Sequence, residues 1–307
     1  TDDAFQTLAL KIFNYQFEQN KPYARFCRLQ GKTPGSISRW QDIPAIPAAG
    51  FKQLALRSFS KKQVCKVFKT SGTTQGARGA HFFDTMKLYE ASIVPSFKKY
   101  LLPDGDPRDF DAFFLMASPA EAPDSSLSHM MGVVRRLLGD GRGRFYIEKG
   151  QSRYEALVSD ILGSKKKIFI LSTAFSLKGF LEYCAQGKIT LKLPKKSRLM
   201  ETGGFKGKAK EISKKRLYSE CVKRLGLDTR HIVSENGMTE LSSQFYDTTL
   251  RDWVVGIKRK SFKAGPPWIR ALAIDPRTGK EASKSRPGLL RFFDLANRGS
   301  VMAIQTE

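Results

Sequence analysis

Two short apolar runs, DAFFLMAS at 111–118 and KKIFILS at 166–172, constrain this chain more than any other feature. Runs of this kind suit strands buried on both faces, as in a largely parallel sheet, rather than the alternating strands of a half-solvated one. What lies between and after them is helical or turn-forming. TAFSLKGFLEYCAQG (173–187) reads as a helix ending on Gly187, and SRLMETGGFKG (197–207) as a strand entering a glycine turn. A basic helix follows, and RHIVSENGMTE (230–240) is a further strand-to-loop junction. Strands alternate with helices, so the expected class is α/β.

The flanks differ. A helix over Asp3 to Gln19 leads into QDIPAIPAAGFK (41–52), whose prolines favour an extended tether. A strand over Val64 to Phe68, a glycine loop, a brief strand around His81 to Phe83 and a helix capped by Asp84 come next. After about Arg251 the pattern turns to hairpins, WIRALAI, the turn DPRTG, GLLRFF and SVMAIQTE. The expected organisation is an N-terminal helix and tether (1–63), an α/β core (64–250) and a β-rich subdomain (251–307).

A chain of 307 residues that is 41% hydrophobic can bury a substantial core. Cys27, Cys65, Cys184 and Cys221 are too scattered for a zinc site, and Cys184 and Cys221 fall on apolar helical faces as core thiols. No apolar run approaches a bilayer span, and the opening residues lack a signal-peptide pattern, so a cytoplasmic protein is expected. The 53 basic residues against 29 acidic ones give +24, which raises nucleic acid, anionic lipid or an acidic protein as partners. Much of the excess falls on AKEISKKRLYSECVKRLG (209–226), where Leu217, Tyr218, Cys221, Val222 and Leu225 recur at helical spacing and leave the cations on a solvated face. No nucleic-acid-binding motif accompanies it. Lys258, Arg259, Lys260 and Lys263 form a second basic cluster, suited to an acidic carrier or partner or to a solvated turn.

Three glycine-rich loops at strand ends compete for the active site, because open α/β sheets bind ligands at the carboxyl edge of their strands. In FKTSGTTQGARG (68–79), Ser71, Thr73 and Thr74 supply hydroxyls, Gly72, Gly76 and Gly79 let backbone N–H groups converge, and Arg78 adds a fixed charge. That assembly suits a polyphosphate, although it is not a Walker A loop. ENGMTE (235–240) ends in a hydroxyl and a carboxylate, a pair suited to a phosphate oxygen and Mg²⁺. METGGFKGK (200–208) offers a turn against which a planar base could lie.

TSGTTQGARG and NGMTE resemble, in order and separation, the two nucleotide motifs of the adenylate-forming superfamily of acyl and aryl acid ligases. More narrowly, LPKKSRLMETGGFKGKAKEISKKRLYSE followed by IVSENGMTELSSQFYD resembles the acyl-protein synthetases of the fatty acid to luciferin-component ligase type. The resemblance runs from about Val64 to Glu307. It implies an N-terminal adenylation core of mainly parallel sheets with flanking helices and a C-terminal β-rich subdomain, ending before the mobile lid and its catalytic lysine. It also implies ATP and Mg²⁺, a carboxylic, fatty, acid as substrate, and acyl transfer to a thiol on the protein itself or on a partner such as a reductase. Carried over by position, Ser71, Gly72, Thr73, Thr74 and Gly76 would hold the β- and γ-phosphates, Thr239 would contact the α-phosphate and Glu240 would hold Mg²⁺. Arg78 stands where the superfamily commonly has lysine, and Asn236 where it usually has an aromatic residue. Gly237 and Met238 complete that motif, Gly203 and Gly204 would border the adenine and acyl pockets, and His129 could line the acyl pocket. An acyl- or aryl-CoA ligase of the same superfamily is the first alternative, and a non-enzymatic nucleic-acid binder the second.

Overall fold

The computed structural model describes residues 1–70, 78–139, 143–203, 212–283 and 286–307. Helices α1 (Asp2–Gln19) and α2 (Lys21–Leu29) meet at Asn20, whose side-chain oxygen accepts from the Tyr23 N–H at 3.2 Å and so caps α2. The proline-rich stretch is more structured than a bare tether, since it carries strand β1 (Ile46–Pro47) and the turn of helix α3 (Gly50–Gln53). Strands β2 (Lys66–Lys69) and β3 (Ala80–Phe83) form an antiparallel ribbon that brackets the glycine loop. Helix α4 (Lys87–Leu101) starts beyond the expected cap, because the Asp84 carboxylate is held by Arg298 at 3.2 Å.

The alternation expected from the apolar runs follows. It comprises β4 (Phe110–Ala117), α5 (Ser126–Leu138), β5 (Arg144–Glu148), β6 (Gln151–Ser152), α6 (Tyr154–Gly163) and β7 (Lys167–Thr173). Then come α7 (Ala174–Gln186), β8 (Arg198–Thr202), α8 (Lys214–Leu225) and β9 (Ile232–Asn236). The chain closes with β10 (Phe245–Asp247), α9 (Thr249–Val254), β11 (Lys263–Ala264), β12 (Ile269–Ile274), β13 (Leu289–Asp294) and β14 (Ala303–Gln305).

One sheet has the order β11-β10-β9-β8-β7-β4-β5-β6, with β9, β8, β7, β4 and β5 mutually parallel and the outer strands antiparallel. Its strands are apolar on both faces, as the runs require. Phe114, Met116, Phe169, Leu171, Met200 and Val233 pack toward α4 and α5, whereas Phe113, Leu115, Ile168, Ile170, Leu199 and Ile232 pack toward α6, α7 and α8. Each such side chain contributes about 1.5–3 kcal/mol on burial. A second sheet, β1-β14-β13-β12, shares a third core with α1 and α2, built from Phe5, Phe13, Tyr23, Phe292, Phe293 and Ile304 among others. The first and last segments read from sequence therefore share one core, while β11 belongs to the large sheet.

Candidate functional site

Three parallel strands end level with one another. Thr173 on β7 lies opposite Thr202 on β8, and Thr202 lies opposite Glu235 on β9, so the register sets a polar row along the carboxyl edge. Two thirteen-residue helices start at the same edge: Ser125 Oγ accepts from Ser128 N–H at 3.1 Å to cap α5, and Thr173 Oγ1 accepts from Ser176 N–H at 3.0 Å to cap α7. Helix N-termini carry partial positive charge and unpaired N–H groups, which favour anions. Above this edge opens a cleft of about 1100 Å³, lined by Ser125, Ser126, Thr173, Ser176, Thr202 and Gly203 and by every residue from Ser234 to Glu240. That size is at the top of the range of small-molecule sites, about 300–1,000 Å³.

The first glycine loop enters the cleft through its stem. Thr70 N–H donates to the Gly79 carbonyl at 2.9 Å, and Gly79 N–H returns a bond to Thr70 Oγ1 at 2.8 Å. Arg78 works on the protein rather than pointing freely at the cleft: its Nε donates to the Thr70 carbonyl and its Nη1 to Asp124 Oδ2, both at 2.7 Å. The guanidinium thus clamps the base of the loop, and both Thr70 and Arg78 line the cleft. Ser71, Gly72, Thr73, Thr74 and Gly76 lie outside the described residues.

The second loop, Asn236–Glu240, is pinned from behind by residues that local sequence patterns do not flag. His81 Nδ1–H donates to the Thr239 carbonyl at 2.8 Å, and Asn297 Nδ2 donates to the Glu240 carbonyl at 2.7 Å. Burial pushes the His81 imidazole down to about 4, so it is neutral near physiological pH. One turn further on, Asp294 accepts from Ser242 N–H (2.9 Å), Ser243 N–H (2.8 Å) and Ser243 Oγ (2.8 Å). Burial still raises its carboxyl to about 6 against those donors. Gly237 is needed for a close approach, since a Cβ there would lie 2.8 Å from Glu235 Oε1. Thr239 and Glu240 face the cleft, and Glu240 is buried within its wall.

Beside the loop lies a charged cluster. Glu235, buried, accepts from Thr202 Oγ1, and desolvation raises its carboxyl to about 7 despite that bond and the nearby Lys263. Lys263 donates to the Ser234 carbonyl and Lys214 to Ser234 Oγ at 2.6 Å. Burial of its ammonium, with Lys214 next in effect, lowers Lys263 to about 8. Lys52, Lys69, Arg78, Lys214 and Lys263 outnumber Glu235, Glu240 and Glu307 along the walls, a balance suited to a polyanion.

The third glycine turn is represented by Gly203, at φ +71 in the left-handed region and on the cleft wall, while Gly204 lies outside the described residues. His129 does not line the cleft. Its Nε2 pairs with Glu90 at 2.8 Å, and its ring packs on Phe68 and on Tyr89, which does reach the cleft. Cys27, Cys184 and Cys221 are buried, and burial raises their thiols to about 12, 11 and 12, whereas Cys65 is exposed. No three His, Cys, Asp or Glu side chains are grouped to hold a metal among the described residues. The sequence put Glu235 inside the ENGMTE stretch and Lys263 in a basic cluster but gave neither a role in the cleft; the signal for the first was a glutamate near the end of a buried strand run, and nothing local ties the second to the cleft.

No protein-family model matches the chain. Over 98% of its length it is 19% identical to the long-chain-fatty-acid–luciferin-component ligase of Aliivibrio fischeri, covering 77% of that protein. It is 20% identical over 92% of its length to the protein of the same name from Vibrio harveyi, of which it covers 72%. The solved structure of 2-hydroxyisobutyryl-CoA ligase in complex with 2-HIB-AMP and CoA superposes on 99% of the chain with a TM-score of 0.69 and 12% identity. The chain spans 63% of that enzyme's length. It is a distant homologue of the luciferin-component ligases and has the fold of the adenylate-forming ligases.

Proposed function

We propose that this homologue of the luciferin-component ligases is the adenylation core of an ATP-dependent, acid-activating ligase whose substrate is a fatty acid. One observation carries the reading: the stem of the hydroxyl-rich loop (Thr70, Arg78) and the acidic loop (Thr239, Glu240) line a single cleft at the carboxyl edge of a parallel sheet. In the first half-reaction a carboxylate oxygen attacks the α-phosphorus of ATP, the bond from phosphorus to the β-phosphate bridging oxygen breaks, and pyrophosphate leaves with the electron pair. Two anions must meet, so positioning and charge neutralisation dominate the barrier. The N-termini of α5 and α7 and the wall lysines supply fixed positive potential. Ser71, Gly72, Thr73, Thr74 and Gly76 hold the β- and γ-phosphates in this reading, with Arg78 fixing the loop's base. Thr239 meets the α-phosphate, Gly203 and Gly204 border the base, and Asn236, Gly237 and Met238 shape the adenine side.

Mg²⁺ keeps several waters, needs only one or two carboxylates and takes its remaining ligands from substrate phosphates, and the cleft walls carry Glu235, Glu240 and Glu307. Glu240 is the residue that would hold it, and the ion would neutralise charge on the leaving phosphates. In the second half-reaction a thiol sulfur attacks the acyl carbon, the bond to AMP breaks, and the thiol proton passes to solvent. A protein cysteine is the proposed acceptor; the fold shared with a CoA ligase favours coenzyme A as the second reading. The test is calorimetric binding of non-hydrolysable acyl-adenylate analogues of short, long and aromatic acids to the chain. Competition by ATP and selection of a long acyl chain are expected, and no binding of any analogue refutes the reading. Radiolabel from the acid remaining on protein through denaturation without coenzyme A distinguishes the two acceptors.

A further inference from the structure

We propose that the projection between Thr248 and Phe262, with the adjoining face of α8, is a docking surface for an anionic lipid membrane. The projection is closed at its base, where Thr248 N–H donates to the Phe262 carbonyl at 3.1 Å. It is braced across its middle, where Arg259 Nε reaches Asp252 Oδ2 at 2.8 Å and Nη2 reaches Oδ1 at 3.2 Å. At the tip α9 ends in a tight turn, with Gly256 N–H bonded to Trp253 O and Ile257 N–H bonded to Asp252 O, and Gly256 is left-handed at φ +73. Such a turn holds neighbouring side chains in a fixed outward display.

What it displays is apolar and cationic. Trp253 (41% exposed), Val255 (55%), Ile257 (42%) and Phe262 (48%) are four of the twelve large apolar side chains that stand exposed among the described residues, and they fall within one run of ten. Lys258, Arg259 and Lys260 are exposed between them, while Asp252, the acid of this stretch, is buried against Arg251 and Arg259. Arg230 lies over the Trp253 ring at 4.7 Å and joins the projection to Thr229, which borders a shallow depression on α8 with Lys215, Val222 and Lys223. Val222 is itself 42% exposed between those lysines.

The combination selects among anionic partners. A nucleic acid would use the cations but has no use for exposed valine and isoleucine beside them, whereas a bilayer interface accepts aliphatic and indole groups and rewards each adjacent cation when its lipids are anionic. Phe262 directly precedes Lys263, and Lys214 opens α8; both lysines line the cleft, so the membrane-facing edge borders the cleft's charged end. Delivery of an amphipathic acid from the bilayer into the cleft rests on the proposed function, whereas lipid docking itself does not.

The experiment is flotation of the chain with phosphatidylcholine vesicles, with and without about 30 mol % phosphatidylglycerol. Binding to the anionic vesicles alone, reversed by high salt, is expected. Val255→Ser/Ile257→Ser and Lys258→Glu/Lys260→Glu should each weaken it by at least about tenfold without changing thermal unfolding or adenylate-analogue binding. A blue shift of Trp253 fluorescence on vesicle addition, lost in Trp253→Phe, should accompany it. Failure to bind anionic vesicles, equal binding to neutral ones, or unchanged binding by both double variants overturns the proposal. Loop-dependent binding of duplex DNA or polyglutamate without vesicle binding overturns it as well.

Discussion

Asn297 gives the sharpest test of how the acidic loop is held. Its amide donates to the Glu240 carbonyl at 2.7 Å and the Val301 carbonyl at 2.9 Å, and its oxygen accepts from Ser242 Oγ at 3.1 Å, with the side chain 1% exposed. Asn297→Ala removes the side-chain donor from two buried carbonyls, while the Ser242 hydroxyl can rotate. At about 1–3 kcal/mol for each lost partner, the loss comes to about 2–6 kcal/mol. Because the Glu240 carbonyl is one of the two, the loop that presents Thr239 and Glu240 loosens as well. An acyl-adenylate analogue should then bind about tenfold to a hundredfold more weakly, the usual consequence of an ångström-scale misplacement. Urea unfolding measures the first quantity and calorimetry the second. Asn297→Asp keeps the shape but sets a carboxylate against the carbonyls, so it should be as damaging near neutral pH and recover partly in acid, where the protonated group can donate. A stability loss under about 1 kcal/mol for Asn297→Ala, or a full loss with unaltered analogue binding, would refute the argument that this side chain positions the loop.

Other expectations follow from the same wall. Glu240→Ala should abolish Mg²⁺-dependent adenylate formation while the circular dichroism spectrum is retained, and unchanged turnover would remove Glu240 from its proposed role. Gly237→Ala should cost about 1–3 kcal/mol, because its Cβ would meet Glu235 Oε1 at 2.8 Å where that carboxylate is already bonded to Thr202; an unchanged urea midpoint would contradict this. Glu235 releases its proton at about 7 when folded but near its ordinary value of about 4.5 when unfolded, so the folded form holds the proton over that interval. Its contribution to stability should therefore fall as pH rises from about 4.5 to about 7 and level off above, and Glu235→Gln should flatten that part of the profile. An identical pH profile for the variant would show that Glu235 does not titrate as described.

The central architecture was legible because each apolar run carried its own evidence: Phe113 and Phe114, or Ile168 and Phe169, face opposite sides of the sheet, and only two-sided burial explains such neighbours. The acidic loop was legible because a buried strand stops and Asn-Gly follows. Long-range pairing was not. Ile46 and Pro47 form a strand only because Ile304 and Gln305 lie beside them, and no local propensity encodes that partner. Asp294 and Asn297 likewise act on Ser242, Ser243 and Glu240 across more than fifty residues, so the pins of the site were invisible where they occur in the chain. Val222 shows the opposite error, since helical spacing put it with Leu217, Cys221 and Leu225, but the stripe that α8 buries is too narrow to include it.

The core shared by the two ends of the chain sets an order of events during synthesis. Phe5, Phe13 and Tyr23 are made well before the surfaces that bury them, which include Phe292, Phe293 and Ile304, and the Gln16 amide waits for the carbonyls of Asn297 and Arg298. At 5–20 residues per second, that apolar helix stays without its docking partner for roughly 15–60 s. Nascent chains should therefore engage holdase chaperones through residues 1–30, and a circular permutant that places α1 and α2 after β14 should fold with less help.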